Sequence, residues 1–112
     1  MKKVIVTSLG LIALVASASL LNAASASDNW DNYCAKCHGA DGAGNTKIGK
    51  KLHVKDYTDA KSLGDHTDAQ LEKDILDGVK HNGREVMKSF KNDLTAAEVT
   101  ALVQHVRAFS KK

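Results

Sequence analysis

The sequence contains no proline, so only glycine, asparagine and aspartate are available to mark its turns. Aromatic side chains are also few, since one tryptophan, two tyrosines and two phenylalanines are the whole supply. A domain this short commonly needs a disulfide, a metal or another staple in addition to its apolar core. No stretch alternates polar and apolar residues well enough to predict a strand, and no internal repeat is present.

The chain carries little net charge once its first residues are excluded. The full sequence has 16 basic and 13 acidic residues, for a formal charge of +3. Residues 1–26 hold two of the lysines and none of the acids, so the remainder has 14 basic against 13 acidic residues and a charge of +1. This near-balance argues against non-specific binding to nucleic acid, which needs a sustained positive field.

Residues 1–26 have the pattern of a signal peptide. Lys2 and Lys3 precede an apolar run from Val4 to Leu21, and Ala24-Ser25-Ala26 has the form that a signal peptidase accepts. We therefore expect cleavage after Ala26, export to the periplasm, and a single domain over residues 27–112. The alternative is an uncleaved membrane anchor, because the apolar run is just at the lower length limit for spanning a bilayer.

Helical patterns dominate the exported part. The first predicted helix covers about residues 28–36 and is broken by a glycine-rich loop that runs to about Lys51 without strong periodicity. A second helix begins at the capping box Thr67-Asp68-Ala69-Gln70, and Gly78 and the pair Asn82-Gly83 indicate its end.

The third helix has the clearest pattern. It begins at a second capping box, Thr95-Ala96-Ala97-Glu98, and its apolar face consists of Val99, Leu102, Val103, Val106 and Phe109. Together these segments predict a small all-α domain with long loops.

The only two cysteines lie in the stretch Cys34-Ala35-Lys36-Cys37-His38. A thioredoxin-like dithiol has this spacing, but that fold needs strands and a cis-proline, and the sequence offers neither. A structural zinc site needs four ligands, and no second compact ligand pair exists. A disulfide between Cys34 and Cys37 would close a very small loop and remove little chain entropy.

The fourth interpretation is a haem attachment site of the form C-x-x-C-H, in which every residue has a task. Positions i, i+3 and i+4 of a helix share one face, so Cys34, Cys37 and His38 converge on one side. The two thiols can form thioethers with the haem vinyl groups while His38 approaches the iron. We favour this interpretation over the other three.

The second axial ligand of the iron decides between electron transfer and small-molecule chemistry. Met87 is the only methionine left after export, and its soft thioether favours ferrous iron and raises the reduction potential. Met87 could also be ordinary core filler. Four histidines are rival ligands: His53, His66, His81 and His105. His53 and His81 lie in loop-like surroundings, and His105 is expected to pack at a helix margin.

With these motifs the exported chain resembles the class I monohaem cytochromes c over essentially its whole length. Trp30 stands four residues before the first cysteine, and Asp41-Gly42-Ala43-Gly44 is similar to the glycine loop after the haem motif. Met87-Lys88-Ser89-Phe90 resembles the segment that carries the methionine ligand, and Leu94-Thr95 onward resembles the final helix.

The resemblance implies a small cytochrome c fold, with three main helices and long loops around one covalently bound haem c. Cys34 and Cys37 would form the thioethers, and His38 and Met87 would be the axial iron ligands. By the same resemblance the first and last helices should cross, with aromatic side chains of the first packed on the last: Trp30 and Tyr33 against Val103, Val106 or Phe109.

Two prolines that the family usually has are absent. Lys88 stands where a proline normally follows the ligand methionine, so this loop is less rigidly preset. A second proline usually offers its carbonyl to the Nδ1 proton of the ligand histidine. We expect a backbone carbonyl around Lys50 to accept the Nδ1 proton of His38 instead.

These features predict a periplasmic one-electron carrier that is not an enzyme, is monomeric, and exchanges electrons with a membrane electron-transfer complex, an oxidase or a reductase. A different class remains open, namely a haem enzyme or gas sensor, such as a small peroxidase, with a labile sixth ligand. Docking would use lysines expected near the haem rim: Lys36, Lys47, Lys50, Lys51, Lys55, Lys88 and Lys91.

Overall fold

The computed structural model describes residues 24–111. The predicted signal peptide lies almost wholly outside these residues, so its cleavage stays a prediction. Within the described residues, no helix is both long enough and apolar enough to cross a membrane.

The first helical segment runs from residue 26 to residue 38 in three parts. Helix α1 (Ala26–Asn29) leads into a π-helical turn (Trp30–Cys34), which continues as helix α2 (Ala35–His38). The Ser25 side chain caps the start by accepting a hydrogen bond from the Asp28 backbone N–H at 3.1 Å. Gly39, with φ of 86°, ends the segment, so the predicted first helix is confirmed with a longer extent.

The segment predicted as a loop, which runs to about Lys51, contains most of a short helix, α3 (Lys47–Leu52). A 3-10 turn (Ala60–Leu63) follows before the second predicted helix. The Thr46 hydroxyl accepts from the Gly49 N–H at 2.8 Å and donates to the Cys37 carbonyl at 2.7 Å. A side chain at Gly49 would collide with the carbonyl oxygens of Cys37 and Gly44. The prediction of a continuous loop was wrong because α3 is held by its cap and by close backbone packing, and not by an apolar stripe.

Helix α4 (Asp68–Asp77) begins at the predicted capping box and ends at Gly78. The next residues form a hairpin of β1 (Val79–His81) and β2 (Arg84–Met87), paired antiparallel with Val79 opposite Met87. The expectation of no strand was therefore wrong. Asn82 and Gly83 both have positive φ, as a two-residue hairpin turn requires, and strands this short show no alternating pattern.

The last helix, α5 (Ala96–Ala108), begins at the second predicted capping box and continues as a 3-10 turn (Phe109–Lys111). Its predicted apolar face is buried and supplies half of the core. The buried apolar residues are Trp30, Leu63, Leu71, Phe90, Leu94, Val99, Leu102, Val103, Val106 and Phe109.

The first helical segment crosses α5, as expected. The Trp30 ring lies 5.0 Å from that of Phe109, and the buried Asn29 side chain donates to Glu98 Oε2 at 2.9 Å. Tyr33 has a different aromatic partner, because its ring lies against Phe90 at 5.7 Å.

Gly42 offers a test of how the glycine loop packs on Phe109, because a Cβ atom there would lie 2.5–2.8 Å from ring carbons of Phe109. Gly83 is the matched control, since its φ of +77° is close to the +74° of Gly42 and no atom lies within 4 Å of its Cβ position. Both alanine substitutions cost about 1–2 kcal/mol for the left-handed backbone, and Gly42→Ala adds about 1–3 kcal/mol of overpacking. Urea unfolding should show a larger loss of unfolding free energy for Gly42→Ala than for Gly83→Ala. Equal losses would contradict the packing of Gly42 against Phe109.

Candidate functional site

A large cavity lies between the first helical segment, α4, the hairpin and α5, with a volume of about 690 Å³. That volume is in the range of pockets that hold cofactors and drug-sized ligands. Its wall includes all four side chains predicted to bind haem, namely Cys34, Cys37, His38 and Met87. Three of them come from the end of the first helical segment and the fourth comes from the end of the hairpin.

Both cysteines are free thiols and half-buried. Burial, followed by the charge of Cys37, raises the pKa of Cys34 to about 12, so Cys34 remains a protonated thiol at neutral pH. Across residues 24–111, no three His, Cys, Asp or Glu side chains come together as a metal site. These observations count against the zinc and disulfide interpretations and leave two thiols available on the cavity wall.

His38 packs against two aromatic rings, which also contact each other at 6.5 Å. The Tyr57 ring stacks on it at 5.2 Å with an interplanar angle of 19°, and the Trp30 ring lies 5.7 Å away. Burial lowers the pKa of His38, which favours the neutral imidazole. Neutral imidazole is the form that coordinates a metal ion.

The expected acceptor for the Nδ1 proton of His38 is absent. Nδ1 is buried and has no hydrogen-bond partner among the described residues. The Lys50 carbonyl does not serve because residues around it form α3, and this carbonyl accepts the His53 N–H at the end of that helix. The prediction for Lys50 was wrong because it assumed an irregular loop at this position.

Met87 is the last residue of β2, and not part of an open loop as its charged neighbours suggested. It is half-buried, packs against the core, and lies beside Gly78, where a Cβ atom would be 2.6 Å from the Met87 carbonyl oxygen. The next residues are tied to α4, since the Ser89 hydroxyl donates to the Leu76 carbonyl and the Phe90 N–H donates to the Ile75 carbonyl. The segment therefore has fixed contacts although the family's proline is missing.

The rival histidines differ in their access to the cavity. His53 and His66 line it; His81 and His105 are not part of its lining in the described structure. His66 Nδ1 is buried and has no hydrogen-bond partner among residues 24–111. His105 packs against Trp30 and Phe109 at ring distances of 5.5 and 5.0 Å, in agreement with the expected position at a helix margin.

Two cavity residues were not identified from the sequence. Tyr57 comes from an irregular loop, where its N–H donates to the Gly42 carbonyl, and no local pattern indicated its position beside His38. Asp74 lies on the cavity side of α4, and the spacing of Leu71, Asp74 and Ile75 could have indicated this. Burial, then the charges of Asp74 and Cys34, raises the pKa of Tyr57 to about 12, so its hydroxyl is a proton donor at the cavity wall.

Known proteins of one family match this chain in sequence and in structure. A family model described as cytochrome c oxidase, cbb3-type, subunit III, matches residues 21–106. The solved structure of the c-type cytochrome KustC0563 shares 32% identity and a TM-score of 0.68, over 77% of this chain and 98% of that one. The chain is a monohaem c-type cytochrome.

A variant of the same solved protein, with one tyrosine replaced by phenylalanine, gives 32% identity and a TM-score of 0.67 over 77% and 99% of the two chains. No curated protein matches the sequence. The predicted cytochrome c fold is confirmed, with the small hairpin as an addition.

The cofactor of this cytochrome is a covalently attached haem c. The cavity fits that group by its own chemistry. Two free thiols, a neutral imidazole and a thioether line a mainly apolar wall of adequate volume. Cys34 and Cys37 are the residues that would hold the macrocycle, and His38 and Met87 are those that could reach its iron.

Proposed function

We propose that this cytochrome is a periplasmic one-electron carrier whose iron is bound by His38 and Met87 throughout its redox cycle. Electron transfer with redox partners is typical of the family. The observation that supports the finer proposal is that His38 and Met87, from separate parts of the chain, line the same cavity as the two thiols. A thioether ligand stabilises ferrous iron and suits a carrier.

Haem supplies the reversible one-electron change, and the protein residues hold it and control its surroundings. Cys34 and Cys37 would fix the macrocycle, while the rings of Tyr57 and Trp30 pack against the His38 ring and limit its movement. Apolar side chains of α4 and α5 exclude water from the cavity, among them Leu71, Leu102, Val103 and Val106. Neither ligand has to leave for an electron to pass, so the protein can stay rigid.

A haem enzyme or gas sensor with a labile sixth ligand is the alternative function. It rests on Lys88, which replaces a stiffening proline and makes an exposed ion pair with Asp93 at 3.7 Å and a cation–π contact with the Phe90 ring at 5.0 Å. The contacts of Ser89 and Phe90 with α4, and the pairing of Met87 with Val79, restrain the segment in other ways. These restraints favour the carrier.

Export rests on the sequence pattern of residues 1–26. A cut after Ala26 would remove the Ser25 cap, which is worth about 1 kcal/mol in typical helices. The bond between Asn29 and Glu98 would remain, because both residues lie beyond the cut.

Cleavage after Ala26 and covalent attachment of haem together predict the mass of the exported protein. The intact mass of the protein purified from the periplasm should equal residues 27–112 plus one haem, and acid-acetone should not extract the haem. The Cys34→Ser, Cys37→Ser double variant should lose its covalent haem, whereas His81→Ala, at an exposed hairpin residue, should retain it. A mass that includes residues 1–26 would instead support the membrane anchor.

Ligation by Met87 predicts a far-red absorption band of sulfur-to-iron bonding in the ferric protein. Met87→Ala should abolish this band and allow rapid carbon monoxide binding to the ferrous protein, because the sixth position is then open. His53→Ala and His66→Ala, the matched controls from the same cavity, should keep the band. Rapid carbon monoxide binding by the unaltered protein would favour the enzyme or sensor.

Lysines at the cavity mouth predict electrostatic steering of anionic partners. Lys36, Lys55 and Lys88 line the cavity and are exposed. Their replacement by glutamine should slow stopped-flow oxidation of the ferrous protein by hexacyanoferrate(III) by about threefold or more at low ionic strength, with convergence at high salt. The same change at Lys61 and Lys80, which lie outside the cavity lining, should have a smaller effect; equal effects would point to net charge alone.

A further inference from the structure

An acidic side chain lies on the apolar, cavity-facing side of α4. Leu71, Asp74 and Ile75 are spaced by three and one residues, share one helix face, and all line the haem cavity. Leu71 and Ile75 belong to the core or pack against it, and Asp74 between them is half-buried. A carboxylate in such a position loses solvation, so its presence on this face requires an explanation.

Asp74 differs from Asp68 and Asp77 in making no ion pair or side-chain hydrogen bond within residues 24–111. The cation that its charge acts on, Lys73, is itself paired with Asp77. Asp68 is paired with Arg107, and Asp77 is paired with Lys73 at 3.0 Å. Among the described residues, no ion pair or side-chain hydrogen bond involves the Asp74 carboxylate. The carboxylate is therefore free to act on whatever fills the cavity.

Asp74 shares the cavity wall with Tyr57, whose ring stacks on His38 at 5.2 Å. The carboxylate therefore lies on the wall of the same cavity as the four proposed haem-binding side chains.

We propose that Asp74 is a determinant of the reduction potential, because its carboxylate stabilises ferric haem over ferrous haem and so lowers the potential. Oxidation removes one electron and leaves the iron more positive by one charge, which a nearby negative charge favours. No bond is made or broken. This inference rests on the proposed carrier function and deepens it, since it concerns which donors and acceptors the carrier can serve.

The lysines at the cavity mouth do not cancel this effect. Lys36, Lys55 and Lys88 are exposed, so water and salt screen them, while Asp74 is half-buried and screened less. Two unit charges about 10 Å apart at an effective dielectric constant of about 20 interact strongly enough to change an equilibrium constant by about tenfold. That is the scale of the effect expected from removing the charge.

The test compares two single substitutions on one helix in the haem-loaded protein. Asp74→Asn keeps the shape of the side chain and removes its charge, and Asp77→Asn makes the same change at an exposed position. Spectroelectrochemical titration should show the ferrous-to-ferric ratio at fixed potential rising about tenfold for Asp74→Asn, equal to about 59 mV for a one-electron couple. Asp77→Asn should shift the ratio by less than threefold.

Asp74→Ser should raise the potential as Asp74→Asn does, and Asp74→Glu should leave it near that of the unaltered protein. A potential unchanged in both neutral variants, or raised equally by Asp77→Asn, would overturn the proposal. The far-red band recorded on the same samples separates this outcome from a failure of Met87 ligation. If the unaltered protein lacks the far-red band and Asp74→Asn still raises the reduction potential, the assignment of Met87 as ligand is contradicted and the role of Asp74 stands.

Discussion

The contact of Trp30 with the last helix is the interaction on which the rest of this structure depends. The indole is 3% exposed, its N–H donates to the Gly39 carbonyl at 2.9 Å, and its ring meets the rings of His38, Tyr57, His105 and Phe109. Cys34, the first thiol of the haem site, stands four residues after Trp30, and Cys37 and His38 come soon after it. Because one buried side chain fixes both the helix crossing and the start of that site, fold and cofactor position are specified together.

Close backbone contacts at glycines fix chain segments in this cytochrome that prolines usually stiffen in the family. The missing prolines would have stiffened the chain by limiting φ, whereas here the chain is fixed by backbone approaches that only glycine permits. Gly78 brings the end of α4 against the Met87 carbonyl, and Gly49 brings α3 against the Cys37 carbonyl. Each of the two haem-facing segments is therefore positioned by a close backbone contact.

The sequence predicted the elements whose causes are local. The capping boxes at Thr67 and Thr95 identified the starts of two helices, and the motif at residues 34–38 identified part of the cavity wall, since each signal lies within a few residues. The hairpin was missed because Asn82-Gly83 was interpreted as the end of α4 and the strands are too short to show alternation. Helix α3 and the position of Tyr57 were missed because each depends on contacts with another segment of the chain. The acceptor expected for His38 failed for the same reason, since it was inferred from a loop that is in fact α3.

Thr46 links two parts of this cytochrome that the sequence keeps separate. One hydroxyl group donates to the Cys37 carbonyl and accepts from the Gly49 N–H, so the haem-attachment turn and α3 cannot move apart without breaking at least one of these bonds. Segments joined in this way open as one cooperative unit when a protein fluctuates. The short helix α3 thus braces the turn that carries Cys37 and His38, so loosening of α3 would also loosen the residues that would anchor the haem.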